Sequence, residues 1–184
     1  GVGTANVFGA TGNSTARLVL NGGTLMNIAG GGLSINVPNV DIGGNVALDV
    51  VGSGNAQFLN STINLTVPNP TITVIPAQSG TSGVFIFLAK VTDNGAGYGF
   101  TKAGAGVLNL SPSGIAGANN YTGDTTIQEG ALRVVEFSQI GDAAGSSDVN
   151  LAGGQLEFNG TGVTNARLFN VINPVHVTAN SGIA

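Results

Sequence analysis

Two aspartates are the residues of this sequence best suited to chemistry. Asp124 and Asp148 are roughly two dozen residues apart in the chain. If that interval is one turn of a repeating fold, the two carboxylates lie about 5–5.5 Å apart, which is the separation found in retaining glycosidases. The same pair could also bridge a calcium ion. Both aspartates follow turn-like residues, where aspartate commonly hydrogen-bonds the local backbone. The position one such interval before Asp124 is Phe100, which carries no carboxylate, and the sequence shows no nearby Arg, Lys or His that would complete a site. Hydrogen bonding within turns is therefore favoured over catalysis and over calcium binding.

Two other features fall short of a functional site. His176 is predicted to lie on the outward side of a strand, without a second His or Cys at ligand spacing. The segment Val7-Phe-Gly-Ala-Thr-Gly12 is similar to a dinucleotide-binding loop, but Ser14 or Thr15 replaces the third glycine. The residues that follow predict a strand and a turn, where that loop needs a helix. The sequence therefore assigns no catalytic residue, no cofactor or cofactor-binding residue, and no metal ligand.

The composition narrows the class of protein. Of the 184 residues only 8% are charged, against about 25% in an ordinary soluble domain. The net charge of −4 leaves no basic surface for nucleic acid or for an anionic membrane. Cysteine is absent, which excludes disulfides, thiolate metal sites and cysteine nucleophiles. The mean hydropathy is +0.32, yet no run approaches the roughly 18 apolar residues of a membrane span, so we expect no membrane insertion by this segment.

Short stretches of alternating apolar and polar residues run through the whole chain and predict strands. Nearly all of them are bounded by Gly, Asn, Ser, Asp or Pro, which are turn-forming residues. No stretch predicts a helix of three turns. The sequence therefore predicts an all-β protein. The alternating stretches begin at Leu18, Leu33, Val46, Ile63, Val84, Val107 and Leu156.

A repeat organises these strands. The pattern Gly-x-apolar-x-apolar begins at Gly106, Gly130 and Gly154, at two equal intervals that also match the spacing of the two aspartates. Looser copies precede it at intervals in the low twenties. Strands joined by tight turns at this period predict one coil of a parallel β-helix, in which equivalent side chains stack about 4.8 Å apart. We therefore predict a right-handed parallel β-helix of about eight coils, each of roughly 20–24 residues.

Equivalent positions on successive coils give three predicted rows of side chains. Two rows are interior, and the third faces outward, with Arg133 and Glu157 as an ion pair. Each leading glycine is expected to turn a corner with positive φ. Stacked like charges would repel, which accounts for the scarcity of charge. The interior rows are Leu108, Leu132 and Leu156, and Leu110, Val134 and Phe158; the outward row is Asn109, Arg133 and Glu157.

Residues 100–134 carry a family resemblance. The stretch Phe100-Thr-Lys-Ala-Gly-Ala-Gly-Val-Leu-Asn-Leu-Ser111, followed by Ala118-Asn-Asn-Tyr-Thr-Gly-Asp-Thr-Thr-Ile-Gln-Glu-Gly-Ala-Leu-Arg-Val134, resembles the autotransporter-associated β-strand repeat. Looser similarity continues through the segment that begins at Gly153. Residues 112–117 depart from the family pattern as a small insertion, which we expect in a surface loop. The resemblance implies a bacterial secreted or cell-surface protein whose passenger region is a right-handed β-helix, and it implies no activity.

These observations predict one β-solenoid segment over residues 1–184, cut from a longer chain. Its expected role is a structural or adhesive stalk or fibre outside a bacterial cell, without catalysis. Two alternatives are a polysaccharide-acting β-helix enzyme that uses Asp124 and Asp148, and a self-assembling extracellular filament. Neither terminus looks like a cap, so we expect copies to associate end to end. Cell-surface or extracellular glycans are a further candidate partner.

Overall fold

The computed structural model describes residues 15–27, 32–50, 55–76, 84–111, 119–142, 147–159, 174–178 and 180–183. These residues form sixteen strands and one short 3-10 helix at Phe137–Gln139. The strands are Arg17–Leu20 (β1), Thr24–Asn27 (β2), Leu33–Ile35 (β3), Asn39–Ile42 (β4), Val46–Val50 (β5), Ala56–Leu65 (β6), Thr71–Ile75 (β7), Val84–Thr92 (β8), Phe100–Ala103 (β9), Val107–Leu110 (β10), Thr125–Ile127 (β11), Ala131–Val134 (β12), Val149–Leu151 (β13), Gln155–Phe158 (β14), Val175–Val177 (β15) and Gly182–Ile183 (β16).

The strands stack into two parallel sheets. The first sheet runs in the order β1-β4-β6-β8-β10-β12-β14-β16, with β3 also paired to β6. The second sheet runs β15-β13-β11-β9-β7-β5-β2. Because the chain returns to each sheet one coil later, the predicted parallel β-solenoid is confirmed. Over the described residues the second sheet has seven rungs, slightly fewer than the predicted eight coils.

Two long strands each occupy two positions in a coil. The first part of β6 pairs with β3, its second part pairs with β4, and the register with β8 shifts between Leu59 and Thr62. Asn60 lies inside that shift with a φ of 55°. Asparagine tolerates this left-handed conformation better than most residues, and a bulge bends its strand. The coils that contain β6 and β8 therefore have three strand positions, two in the first sheet and one in the second, whereas the described parts of the later coils contribute one strand to each sheet.

The predicted interior rows are confirmed, except that Phe158, at the end of the second row, is only half-buried. Leu108 pairs with Leu132 and Leu132 with Leu156, and all three side chains have no exposed surface. In the second row Val134 pairs with Phe158. The number of residues from one paired leucine to the next is the same in both steps of the first row. The coil that leads from Thr71 to its partner Thr101 is several residues longer than either step. The core thus tolerates longer coils than the sequence predicts, and this longer coil contains the nine-residue strand β8.

The predicted outward row is also confirmed. Asn109 pairs with Arg133, and Arg133 pairs with Glu157. Arg133 Nε and Nη2 each lie 2.8 Å from Glu157 Oε2. About a quarter of each side chain is exposed, so this ion pair contributes at most about 1 kcal/mol, and it marks the register of β12 against β14.

The leading glycines are required for two different reasons. Only Gly130 of the three has the predicted positive φ, at 63°. At Gly106 a Cβ would lie 2.7 Å from Val74 Cγ1, and at Gly154 it would lie 2.5 Å from Ile127 Cγ2. The prediction of positive φ is therefore wrong for Gly106 and Gly154, where close approach between coils leaves no room for a side chain.

Candidate functional site

Asp124 and Asp148 occupy equivalent positions on neighbouring coils, each directly before a strand of the second sheet. Thr125 pairs with Val149, which sets the two aspartates side by side. Asp124 Oδ1 accepts a hydrogen bond of 2.8 Å from the backbone N–H of Asp148. The Asp148 carbonyl in turn accepts one of 2.9 Å from the N–H of Thr125. The Asp124 carboxylate therefore performs the turn chemistry that its local sequence predicts.

His176 lies closer to this pair than the sequence indicates. Its Nε2 lies 3.2 Å from Asp148 Oδ2, and both side chains are about half exposed. The expectation that no histidine lies near the aspartates is therefore wrong. The reason is that the last coil brings β15 beside β13, where His176 pairs with Asn150. Over the part of the chain that the structure describes, no group of three His, Cys, Asp or Glu side chains could hold a metal ion.

The residue one coil before Asp124 is Gly99, which corrects the expected Phe100. The pairing of Thr125 with Phe100 moves the equivalent position by one residue. A Cβ on Gly99 would lie 1.8 Å from the Asp124 carbonyl oxygen, and one on Gly123 would lie 2.2 Å from the Gly99 nitrogen. Two backbones thus touch at this corner, so no side chain can join the aspartate row from the preceding coil.

The asparagine of the family-like motif joins three coils. Asn119 is almost fully buried. Its Oδ1 accepts a hydrogen bond of 2.8 Å from the N–H of Val91, and its Nδ2 donates one of 2.6 Å to the carbonyl of Gln139. One amide side chain therefore satisfies a backbone donor in the preceding coil and a backbone acceptor in the following one.

The tyrosine of the same motif fills the interior beside Asn119. Tyr121 is fully buried, and its ring lies 5.5 Å from that of Phe100. Its hydroxyl shares a hydrogen bond of 2.8 Å with Thr125 Oγ1. Burial raises the pKa of Tyr121 to about 12, against the opposing effect of hydrogen bonds with Thr125 and the Gly141 backbone. The ring supplies core volume, and the threonine satisfies its polar end.

A buried carboxylate organises the neighbouring corner. Asp93 accepts hydrogen bonds of 2.9 Å from the N–H groups of Gly95 and Tyr98, and one of 2.6 Å from Thr122 Oγ1. Burial raises the pKa of Asp93, but the hydrogen bonds from Thr122, Gly95 and Tyr98 outweigh that effect and hold the pKa below its usual value. Thr122 also accepts a hydrogen bond of 3.1 Å from the N–H of Gly97. The motif threonine thus ties one coil to the corner of the coil before it.

The lysine of the motif is inside the solenoid. Lys102 has no exposed surface and pairs with Ile127 of the next coil. Its Nζ donates hydrogen bonds to three backbone carbonyls, those of Ala103 at 2.9 Å, Gly104 at 2.7 Å and Glu129 at 2.9 Å. Burial lowers the pKa of Lys102 to about 8, an effect that the Glu129 carboxylate partly offsets. All three ammonium protons have a carbonyl partner.

These side chains are arranged to hold coils together. Asn119, Asp93 and Lys102 direct their polar atoms at backbone groups, and each reaches a neighbouring coil or its corner. The sequence patterns alone indicate no role for any of the three. A signal was available for Lys102, because it lies two residues after the interior Phe100 and strand alternation places both on the same side.

Some sequence-based predictions fall outside the described residues. The loop-like segment 7–12 does, so the inference that it falls short of a dinucleotide-binding loop stays a prediction, although Arg17–Leu20 is the strand expected after it. The insertion at residues 112–117 also lies outside the described part of the chain. Within the described ranges no helix has the length and hydropathy that crossing a bilayer requires.

Comparison with known proteins connects this architecture to a family. Residues 100–134 match the family described as the passenger-associated-transport-repeat. The chain is also 37% identical over 103 residues to a protein named "Adhesin BmaC autotransporter" from Brucella suis biovar 1 (strain 1330). That alignment covers 52% of this chain and 3% of the relative. The chain therefore spans only a small part of the curated relative that it matches. No solved structure matches.

Proposed function

Because this chain carries a repeat of bacterial autotransporter passengers, we propose that it is a structural segment of a cell-surface stalk that takes part in adhesion. Such passengers are secreted and lie at the cell surface. The observation that carries the proposal is the continuous stacking of parallel strands, with seven rungs in the second sheet of the described chain. The name of the relative supports the adhesive part.

The geometry suits a stalk. Each coil packs only on its neighbours, so coils can be added without altering the cross-section. At a rise of about 4.8 Å per coil, seven rungs span roughly 30 Å along the axis. The aromatic core and the lysine, asparagine and aspartate contacts between coils resist sliding, because any shift by one residue would turn the interior side chains outward.

Catalysis is not part of the proposed function. Of the two candidate carboxylates, Asp124 binds the Asp148 backbone and Asp148 contacts His176. Both lie on an exposed edge of the second sheet, where water competes for every polar contact. The Asp124 carboxylate is therefore engaged in turn chemistry.

Association between copies is a second candidate role, and it rests on the strands β15 and β16. Val177 and Ile183 are 62% and 59% exposed there, although Ile183 is paired with the interior Leu156. A further coil of any chain would cover both side chains and would pair the strand edges beside them. Copies of this protein can supply such a coil, so we include end-to-end association in the proposal.

Bead adhesion tests the proposed function. Beads coated with the chain should be retained on animal-cell monolayers more strongly than beads coated with serum albumin. A Leu132→Asp variant provides the matched control, since it has nearly the same composition and lacks the folded solenoid. Equal retention of beads with the folded chain and the variant would contradict the adhesive role.

A further inference from the structure

Asparagine followed by glycine is the asparagine sequence most open to reaction with its own backbone, because glycine has no side chain to hinder attack by its nitrogen. The sequence has three such pairs, which begin at Asn21, Asn94 and Asn159. The first two pairs lie in exposed turns, and the glycine of the third lies outside the described residues. The structure therefore allows one comparison, between the pairs that begin at Asn21 and at Asn94.

Hydrogen bonds hold the turn at Asn94. The N–H of Gly95 donates a hydrogen bond of 2.9 Å to Asp93 Oδ1, and the N–H of Asn94 donates one of 3.1 Å to Thr92 Oγ1. The N–H of Ala96 donates one of 3.2 Å to the carbonyl of Asp93. The nitrogen that would attack the Asn94 side chain is therefore bound to a buried carboxylate.

The turn at Asn21 lacks these contacts. No described residue accepts a hydrogen bond from the N–H of Gly22, and none forms a hydrogen bond with the Asn21 side-chain amide. Gly22 and Gly23 have φ angles of 144° and 81°, a conformation that suits two residues without a Cβ. The attacking nitrogen and the amide that it would attack are therefore both exposed, and neither is engaged by the described chain.

We infer that Asn21 deamidates spontaneously in the folded protein and that the Asp93 carboxylate protects Asn94 from the same reaction. The Gly22 nitrogen loses its proton and forms a bond to Asn21 Cγ. The bond from Cγ to Nδ2 breaks, and Nδ2 takes up a proton and leaves as ammonia. Water is the only co-reactant, and it opens the cyclic imide at either carbonyl to give aspartate or isoaspartate.

Two effects of Asp93 slow the reaction at Asn94. The Gly95 N–H must give up a hydrogen bond to a charged acceptor before its nitrogen can attack. Loss of the proton from that nitrogen would also place a second negative charge beside the carboxylate, and like charges repel. Because each effect raises the barrier, we expect Asn94 to react at least about tenfold more slowly than Asn21.

Isoaspartate at position 21 would disturb a contact between coils. A Cβ on Gly44 would lie 2.5 Å from the Asn21 carbonyl oxygen, so the two backbones touch there. Isoaspartate adds a methylene group to the main chain at this point of contact. The hydrogen bond of 2.9 Å from the Gly43 N–H to the Leu20 carbonyl should therefore open more readily in the converted protein, and amide hydrogen exchange at Gly43 measures this change.

Peptide mapping of aged protein tests the inference. The 184-residue chain is kept at neutral pH and body temperature for several weeks, and aspartate and isoaspartate at positions 21 and 94 are measured by mass spectrometry. Conversion of Asn21 should be at least about tenfold faster than conversion of Asn94. In chain unfolded by guanidinium chloride the two rates should become similar, because the contacts of Asp93 are lost.

Asp93→Ala should raise the rate at Asn94 toward the rate at Asn21. Thr122→Ala is the matched control, because Thr122 donates a hydrogen bond of 2.6 Å to the other carboxylate oxygen and its loss leaves the acceptor of Gly95 in place. This control should react at Asn94 at nearly the wild-type rate.

Equal rates at Asn21 and Asn94 in the folded wild type would overturn the inference, and so would the absence of conversion at Asn21. A wild-type rate at Asn94 in folded Asp93→Ala would overturn the protective role of Asp93. If that variant does not fold, the comparison of folded with unfolded wild type decides the matter, since a rate ratio that unfolding leaves unchanged would also contradict protection. None of these measurements depends on the proposed stalk function.

Discussion

Lys102 Nζ lies 2.9 Å from the carbonyl oxygen of Glu129, which belongs to the next coil. The lysine extends from an interior strand position to the corner where the following coil turns. The same Nζ donates to the carbonyls of Ala103 and Gly104 in its own coil. One side chain therefore joins two successive corners. Its neighbours in the core are apolar, so its positive charge is compensated by the dipoles of the three backbone carbonyls.

Replacing Lys102 with Met should destabilise the solenoid. Methionine matches the length of the side chain but leaves three carbonyls without their donor, at a cost of at least about 1 kcal/mol. The free energy of unfolding in urea measures the loss. Lys90→Met is the control, because Lys90 is half-buried on β8 and makes no comparable set of contacts among the described residues. Equal losses in the two variants would show that the carbonyl contacts contribute nothing.

The interior leucine row gives a second stability prediction. Leu132→Ala should cost about 2–5 kcal/mol through the cavity that it leaves between Leu108 and Leu156. Leu132→Asp should prevent folding, because it buries a carboxylate without a partner. The adjacent Arg133→Ala should change stability by less than about 1 kcal/mol. Urea unfolding curves compare the three variants, and similar tolerance at positions 132 and 133 would refute the register.

Asp93 should make the protein sensitive to acid. Its folded pKa lies below the ordinary value of 3.8, so its stabilising effect is complete above that value and is lost as the pH falls through the lower folded pKa. Asp93→Asn should lower stability at neutral pH, because an amide N–H₂ would face the donors of Tyr98 and Thr122.

The urea midpoint, measured from neutral pH to about pH 2, should fall less steeply in Asp93→Asn than in the wild type. Asp124→Asn serves as the exposed control. Parallel curves for Asp93→Asn and the wild type would show that the buried carboxylate is not the source of the acid sensitivity.

The pair of Asp124 and Asp148 should be inactive toward polysaccharides. Incubation of the purified chain with common polysaccharides should release no reducing ends and no unsaturated products, since Asp124 is engaged by the Asp148 backbone. Product that forms with the wild type and disappears in the Asp124→Asn, Asp148→Asn double variant would establish the enzyme alternative instead.

End-to-end association should depend on protein concentration. Sedimentation velocity at micromolar concentrations should show species larger than the monomer, because a neighbouring copy would cover Val177 and Ile183. Val177→Lys with Ile183→Lys should shift the distribution toward the monomer by adding charge to that edge. A single monomeric species over a hundredfold range of concentration would contradict the association of copies.

The sequence by itself determined the repeating part of this protein. Alternation with period two and equal spacing of the repeat units located the row of Leu108, Leu132 and Leu156 and the outward pair of Arg133 and Glu157. The physical reason is that a parallel solenoid repeats one cross-section, so a fixed interval along the chain becomes a fixed neighbour in space. Within such a row, the spacing of residues along the chain is enough to predict which side chains contact one another.

Only the tertiary structure decided which residues contact one another at the corners of the coils and in coils of unequal length. His176 contacts Asp148, and Phe100 pairs with Thr125, across intervals longer than the one that separates the stacked leucines, so neither pairing follows from the repeat period. Lys102 occupies an interior position that its charge would forbid without three carbonyls close by. Such contacts depend on how many residues each turn inserts and on where backbone groups point, which strand alternation does not encode.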